Sequence, residues 1–224
     1  MDSSKRDEAL MREHRMSAEA IARGEATGWF EPLYAAAQGD TEKVPWADEK
    51  PNPWLIEWID REPPPKPGAN AVVVGCGLGD DAEELARRGY EVVAFDVSPT
   101  AIEWAKKRFP DSPVEFRVGD LFELPSSMHA AFDFVFEAYT LQALPVAVRG
   151  VAVDAVASLV APGGELLAVM RGTEADDPGE GPPWPLMRSE MIGMEAAGLV
   201  VDTWESFMDG AIPRWRIHYV RPMV

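Results

Sequence analysis

The stretch Ala71-Val72-Val73-Val74-Gly75-Cys76-Gly77-Leu78-Gly79-Asp80-Asp81-Ala82-Glu83-Glu84-Leu85-Ala86-Arg87-Arg88-Gly89-Tyr90-Glu91-Val92-Val93-Ala94-Phe95-Asp96 decides the fold. An apolar, β-branched run at 71–74 stops at Gly75. Glycines then alternate at 75, 77 and 79. Residues 80–88 are helix formers, and Gly89 is placed to end that helix. A second apolar run at 92–95 closes on Asp96. Strand, tight turn, helix and a strand ending in a carboxylate make the nucleotide-binding half of a doubly wound α/β sheet. Glycine lets the backbone turn sharply and lets a ligand approach where a Cβ would collide. The turn feeds a helix N-terminus with free N–H groups. A carboxylate at the end of the second strand can accept hydrogen bonds from both hydroxyls of a ribose.

The glycine spacing narrows the ligand. Dinucleotides favour Gly-x-Gly-x-x-Gly, with the pyrophosphate on the helix N-terminus and the third glycine packing helix on strand. Here the spacing is Gly-x-Gly-x-Gly, and Asp80 stands where the last glycine belongs. Asp80 and Asp81 open the helix with two negative charges, which repel a pyrophosphate. They suit a ligand carrying an ammonium or a sulfonium group. S-adenosylmethionine carries both and has no phosphate, so it is the expected cofactor. A dinucleotide and a purely structural turn are the competing readings.

The same residues carry a family resemblance. Val-Val-Gly-Cys-Gly-Leu-Gly-Asp-Asp-Ala at 73–82, with Arg-Gly-Tyr-Glu-Val-Val-Ala-Phe-Asp-Val-Ser-Pro-Thr-Ala-Ile at 88–102, resembles motif I and its continuation in class I S-adenosylmethionine-dependent methyltransferases. Within that class it is most similar to the thiopurine S-methyltransferase and halide/thiol methyltransferase group. Trp29, Tyr34, Gly39 and Val44-Pro45-Trp46 resemble the family's opening segment, which closes over the cofactor. Asp120 and Leu121 occupy the places that bind the adenine amino group and ring. Tyr139 and Thr140 resemble the Asp-Tyr-Thr of the halide/thiol branch, displaced by Ala138. Gly181-Pro182-Pro183-Trp184-Pro185-Leu186, followed by Arg188 and Glu190, resembles a loop that lies over the substrate. There is a departure too: the thiopurine branch often has an arginine in the 137–140 segment, and this chain has none before Arg149.

The resemblance implies a doubly wound, seven-stranded, mostly parallel sheet with an N-terminal helical cap. It implies methyl transfer from S-adenosylmethionine, with S-adenosylhomocysteine as product, to a small soft nucleophile such as a thiol, thiolated heterocycle or halide. O- or N-methylation of a small aromatic or natural-product acceptor is the alternative. A non-catalytic S-adenosylmethionine-binding protein and an NAD-dependent oxidoreductase are further alternatives. Turn and resemblance together make Trp29, Trp46, Gly75, Cys76, Gly77, Gly79, Asp81, Asp96, Val97, Asp120, Leu121 and Glu137 the expected cofactor residues. Tyr34, Tyr139, Thr140 and Trp184 are the expected acceptor residues, and Glu137 and Tyr139 the candidate catalytic groups.

Composition sets the bounds. The 224 residues suit one structural domain, and 46% apolar content supports a substantial core. No apolar run approaches the length of a membrane span, and with a polar N-terminus no secretory signal is expected. The net charge of −17 disfavours nucleic-acid and anionic-membrane partners. The basic clusters Arg87-Arg88 and Lys106-Lys107-Arg108 read as solvated helix faces. The one cysteine, Cys76, reads as a small packing residue, and a cytoplasmic monomer or homodimer is expected.

The chain order completes the picture. A helix is expected over 3–23. Between 28 and 58 aromatics crowd (Trp29, Phe30, Tyr34, Trp46, Trp54, Trp58), offering flat faces that attract a sulfonium and exclude water. A helix at 53–60 and a Pro-rich segment follow. This divides a cap or lid (1–62) and a linker (63–68) from the core (69–224). Ser98 and Pro99 start a helix to 109. Strands are expected at 114–118, 132–137 and 165–170, and helices at 145–160 and 187–197. An antiparallel pair, 199–207 and 213–220, ends the chain; Arg214, Arg216 and His218 read as the solvated polar side of an edge strand.

A thiolate or halide needs no general base. That suits a chain whose three histidines lie outside any recognisable catalytic motif; His14 reads as surface or packing. For an oxygen or nitrogen nucleophile, Glu137, Tyr139 or His129 are the candidate bases. Asp176, Asp177 and Glu180 make an acidic loop without metal-ligand spacing, so no metal is expected.

Overall fold

Short β-branched and aromatic runs separated by helices dictate a layered α/β sheet. A computed structural model describes residues 3–175, 179 and 181–223. The helices are α1 (Ser3–Ala22), α2 (Phe30–Ala37), α3 (Pro53–Ile59), α4 (Asp80–Arg87), α5 (Pro99–Arg108), α6 (Val146–Leu159) and α7 (Arg188–Ala196). The strands are β1 (Asn70–Val74), β2 (Glu91–Asp96), β3 (Glu115–Val118), β4 (Phe132–Ala138), β5 (Val160–Thr173), β6 (Leu186–Met187), β7 (Val200–Asp209) and β8 (Ile212–Val220). The sheet runs β3-β2-β1-β4-β5-β8-β7, with the two-residue β6 beside β5. Its first five strands are parallel; β8 is antiparallel to both neighbours. The expected seven strands are thus present, and β6 is an eighth.

Strand β1 lies between β2 and β4 and is covered on both faces, which is why it reads as an unbroken apolar run. Strand order reverses on either side of β1, and ligands bind at the carboxyl ends of strands at such a switch point. Ser98 Oγ accepts from the Ala101 N–H at 3.1 Å, capping α5 beside that point.

Two expectations are corrected. Strand β5 starts at Val160, not 165, because residues around Gly163 and Gly164 bulge opposite Asp133. Strand β8 is not an edge: it lies between β5 and β7, and Arg214, Arg216 and His218 are buried, not solvated. Helix α3 covers that side. Arg216 donates to the Trp54 carbonyl at 2.9 Å and to Glu205 at 2.6 Å, and Trp58 packs on His218 with ring centroids 5.2 Å apart.

Candidate active site

At the carboxyl ends of the strands lies a cavity of about 560 Å³, a size common among small-molecule sites. Of the residues expected to hold the cofactor, Gly75, Cys76, Gly77, Asp81, Asp96, Val97, Asp120 and Leu121 line it. Asp96 is buried. Its Oδ2 accepts from the Gly77 N–H and its Oδ1 from the Ser98 N–H, both at 2.9 Å. Burial pushes its pKa above the ordinary value, against the pull of those N–H groups. Each carboxylate oxygen has two lone pairs, so each keeps one for a ribose hydroxyl. Asp120 Oδ1 accepts from the Phe122 N–H at 2.9 Å, leaving its second oxygen for an amino group.

The glycines divide by role. A Cβ at Gly77 would meet only the Tyr34 hydroxyl, 3.1 Å away, so this residue lets a ligand close in. A Cβ at Gly75 would lie 2.3 Å from Thr140 Oγ1, and one at Gly79 would lie 2.8 Å from the Phe116 ring. Gly79 lies outside the lining: it makes room for protein rather than for a ligand.

The acidic helix start is also corrected. Asp80 pairs with Arg108 at 2.7 and 2.8 Å, so its charge is answered within the protein. Asp81 carries the acidity at the cavity. Its Oδ1 accepts from the Asn52 N–H at 2.6 Å, and burial pushes its pKa up to about 7. Phe30, Tyr34, Trp46 and Trp54 supply aromatic lining, and Trp46 Nε1–H donates to the Tyr34 hydroxyl at 2.8 Å. Tyr34, expected on the acceptor side, faces Gly77 instead. Trp29 is buried outside the lining, stacked on Phe30 at 4.0 Å, so Phe30 presents the face expected of Trp29. A nucleoside bearing a cationic sulfur fits this donor set: two carboxylates with spare lone pairs, aromatic faces, and no basic group aimed at a phosphate from the glycine turn.

The acceptor end is built from the β4 exit. Tyr139 and Thr140 line the cavity. Tyr139 has φ 63, the left-handed region that a bulky side chain occupies only when its surroundings enforce it. Its N–H donates to the Val169 carbonyl at 3.0 Å, and Thr140 Oγ1 donates to the Val74 carbonyl at 3.1 Å. Glu137 enforces the bend from behind. It is fully buried and outside the lining, and its Oε1 accepts from the Thr140 and Leu141 N–H groups at 2.8 and 2.9 Å. Burial pushes its pKa up to about 7. Trp184 packs back on Gly181, and Pro183 lines the cavity in its place.

The lining also brings in residues that were not expected there, among them Glu13, Asn52, Gln142, Arg171 and Arg214. Arg171 and Arg214 are directly opposed where β5 pairs with β8. The Arg214 guanidinium lies 5.0 Å from the Tyr139 ring centroid and 3.2 Å from Asp209. Polar residues at two strand ends were the available signal, but the register that joins them is not encoded locally. No histidine lines the cavity: His14 bonds the Pro182 carbonyl, His129 is exposed, and His218 lies within the sheet. Among the described residues no group of three His, Cys, Asp or Glu side chains converges to hold a metal; Asp176, Asp177 and Glu180 lie outside them. Among the described residues no helix is long and apolar enough to cross a membrane.

Comparison with known proteins gives a family match: the model for thiopurine S-methyltransferase (TPMT) matches residues 37–216. "Probable thiol methyltransferase 2" of Arabidopsis thaliana is 29% identical over 197 residues, covering 84% of this chain and 80% of that protein. A ubiquinone biosynthesis O-methyltransferase of Xylella fastidiosa is 34% identical over 128 residues, 54% of this chain and 51% of that protein. The N-methyltransferase NodS from Bradyrhizobium japonicum, solved with S-adenosylhomocysteine, superimposes with TM-score 0.65 at 17% identity, covering 85% of this chain and 98% of that one. At that identity the superposition speaks for the fold.

Proposed function

We propose a soft, anionic acceptor for this enzyme, which belongs to the thiopurine S-methyltransferase family and methylates small molecules with S-adenosylmethionine. The acceptor is a thiolate, a thiolated heterocycle or a halide. The observation that carries this reading is that Arg171 and Arg214, opposed on adjacent strands, both line the cavity wall, with the Arg214 guanidinium beside Tyr139. S-adenosylmethionine, when bound, supplies a methyl group on a positively charged sulfur. Asp96 and Gly77 would hold its ribose side, Asp120 and Leu121 its adenine, and Asp81 with the aromatic lining its cationic end. Val97 and Cys76 complete the wall.

The chain's own residues then prepare the nucleophile. A guanidinium beside a thiol favours the thiolate, so Arg171 and Arg214 hold the acceptor in its reactive form. A nucleophile already ionised needs no base during the displacement. Tyr139 and Thr140, held by Glu137, orient it toward the methyl group. The aromatic wall of Phe30, Trp46 and Trp54 excludes water, which favours a displacement that disperses charge. A methyl-transfer assay with thiols, iodide and phenols tests this. Turnover of thiols or iodide with inert phenols is expected; turnover confined to phenols or amines overturns it.

O-methylation is the second reading. The match to the Xylella enzyme favours it, as does Glu13, a lining carboxyl that burial pushes up to about 7, a value suited to a general base near neutral pH. In either reading residues 1–62 act as a lid on the core at 69–224, joined by the linker at 63–68. The acidic charge and single cysteine support a cytoplasmic monomer or homodimer without nucleic-acid or lipid partners.

A further inference from the structure

Helix α1 brings an acid into the chamber that the displacement by a soft nucleophile does not use. Leu10 and Glu13 both line the cavity. Glu13 is only 4% exposed, and glutamate is rarely so buried unless something answers its charge. Arg171 lines the same cavity, near enough for its positive charge to act on Glu13. The helix is pinned where it sits: His14 Nε2–H donates to the Pro182 carbonyl at 2.8 Å, next to the lining residue Pro183. Arg171 is held as well, since its backbone N–H donates to Gln142 Oε1 at 2.7 Å. One end of the chamber therefore presents an anionic hydrogen-bond acceptor beside a cationic donor. An entirely apolar ligand would face that carboxylate without offering it a hydrogen bond, which is costly.

We propose that Glu13 is a specificity-determining residue that accepts a hydrogen bond from an N–H or O–H carried by the acceptor away from its nucleophilic atom. The enzyme then selects donor-bearing acceptors, such as amino-substituted aromatic thiols, over their unsubstituted congeners. Sites built to hydrogen-bond a substrate group discriminate against the analogue lacking it far more strongly than apolar pockets do. The inference rests on the methyltransferase reading of this cavity but not on the choice of sulfur over oxygen.

The test is a grid: thiophenol against the isomeric aminothiophenols, and phenol against the isomeric aminophenols. The proteins are wild type, Glu13→Gln and Glu13→Leu, in mildly alkaline buffer above the Glu13 value of about 7. For the best isomer, wild-type kcat/KM should exceed that of the unsubstituted congener by about 10-fold or more, chiefly through KM. Glu13→Leu should bring that ratio to about one or below, with Glu13→Gln between. Calorimetry with S-adenosylmethionine reports whether each variant is folded. Calorimetric binding of the same congeners to protein loaded with S-adenosylhomocysteine reads the preference where turnover is absent. Equal handling of substituted and unsubstituted congeners by the wild type overturns the proposal. So does an equal fall in kcat on both in Glu13→Leu, which would make Glu13 a base or a packing group. If only phenols react, the soft-acceptor reading fails while the Glu13 preference is still measured on the phenol pair.

Discussion

Arg171 and Arg214 are directly opposed across the β5–β8 pairing, so two positive side chains enter one cavity from adjacent strands. Like charges placed opposite each other on a sheet are unfavourable; Asp209, 3.2 Å from Arg214, and Glu13, which feels the Arg171 charge, offset part of that repulsion, and an anionic acceptor would offset more of it. Arg214→Met should therefore raise the KM for a thiol acceptor about 10- to 100-fold, the range of one or two charge-assisted hydrogen bonds. S-adenosylmethionine affinity should hold. Steady-state kinetics with the thiol varied, beside calorimetry with the cofactor, make the comparison. An unaltered KM would place the acceptor away from β8.

Asp96 joins the glycine turn to the second strand through Gly77 and Ser98. Asp96→Ala removes both of the carboxylate oxygens proposed to hold the ribose and strands two backbone N–H groups. Cofactor Kd should rise by about 100-fold or more, and stability should fall by about 1–3 kcal/mol. Calorimetry and urea unfolding measure these separately. A Kd within a few-fold of wild type would mean the ribose lies elsewhere.

Arg149 sits behind the acceptor wall, 1% exposed. It donates to the Leu144 carbonyl at 2.9 Å, the Trp184 carbonyl at 3.0 Å and Glu190 at 3.1 Å. It thus fixes the 142–144 turn against the Gly-Pro-Pro loop, both of which line the cavity. Arg149→Lys keeps the charge but cannot reproduce the planar fork. We expect a loss of about 1–3 kcal/mol in stability and a raised acceptor KM, with cofactor Kd unchanged. A shift in Kd equal to the shift in KM would reduce Arg149 to general scaffolding.

His218 offers a pH signature. Burial alone would lower its pKa, but hydrogen bonds to Glu165 at 3.2 Å and Asp202 at 3.1 Å outweigh burial and hold it above 6.5. A histidine whose folded pKa is raised adds stability that is complete below the unfolded value and is lost as pH rises through the folded one. Trp58 packs on the ring and does not titrate. The stability gap between wild type and His218→Gln should be widest in mildly acidic buffer and shrink above neutrality. Denaturant midpoints at several pH values test this; a gap that grows with pH would contradict the ion-pair assignment. Buried carboxyls such as Glu137 favour acid too, which is why the difference, not the wild-type curve, is read.

The fold around the glycine turn was legible because its signals are local. Val72 to Val74, the glycine turn, Asp96 and the Ser98 cap are each fixed by neighbours within a few residues. Trp29 and Trp184 misled because an aromatic side chain reads alike whether it faces a ligand or packs beneath the residue that does. Asp80 misled for a similar reason: its partner, Arg108, lies 28 positions away.

By itself, then, the amino-acid order determined the strand–turn–helix–strand unit, the parallel sheet and the glycine turn at which a sulfonium nucleoside is proposed to bind, since backbone sterics and periodicity act over short range. Only the tertiary structure decided which charges share the acceptor chamber. Glu13, Arg171 and Arg214 come from a distant helix and two strand ends. What joins them is the β5–β8 register and the seat of α1, which depend on long-range packing rather than on the residues beside them.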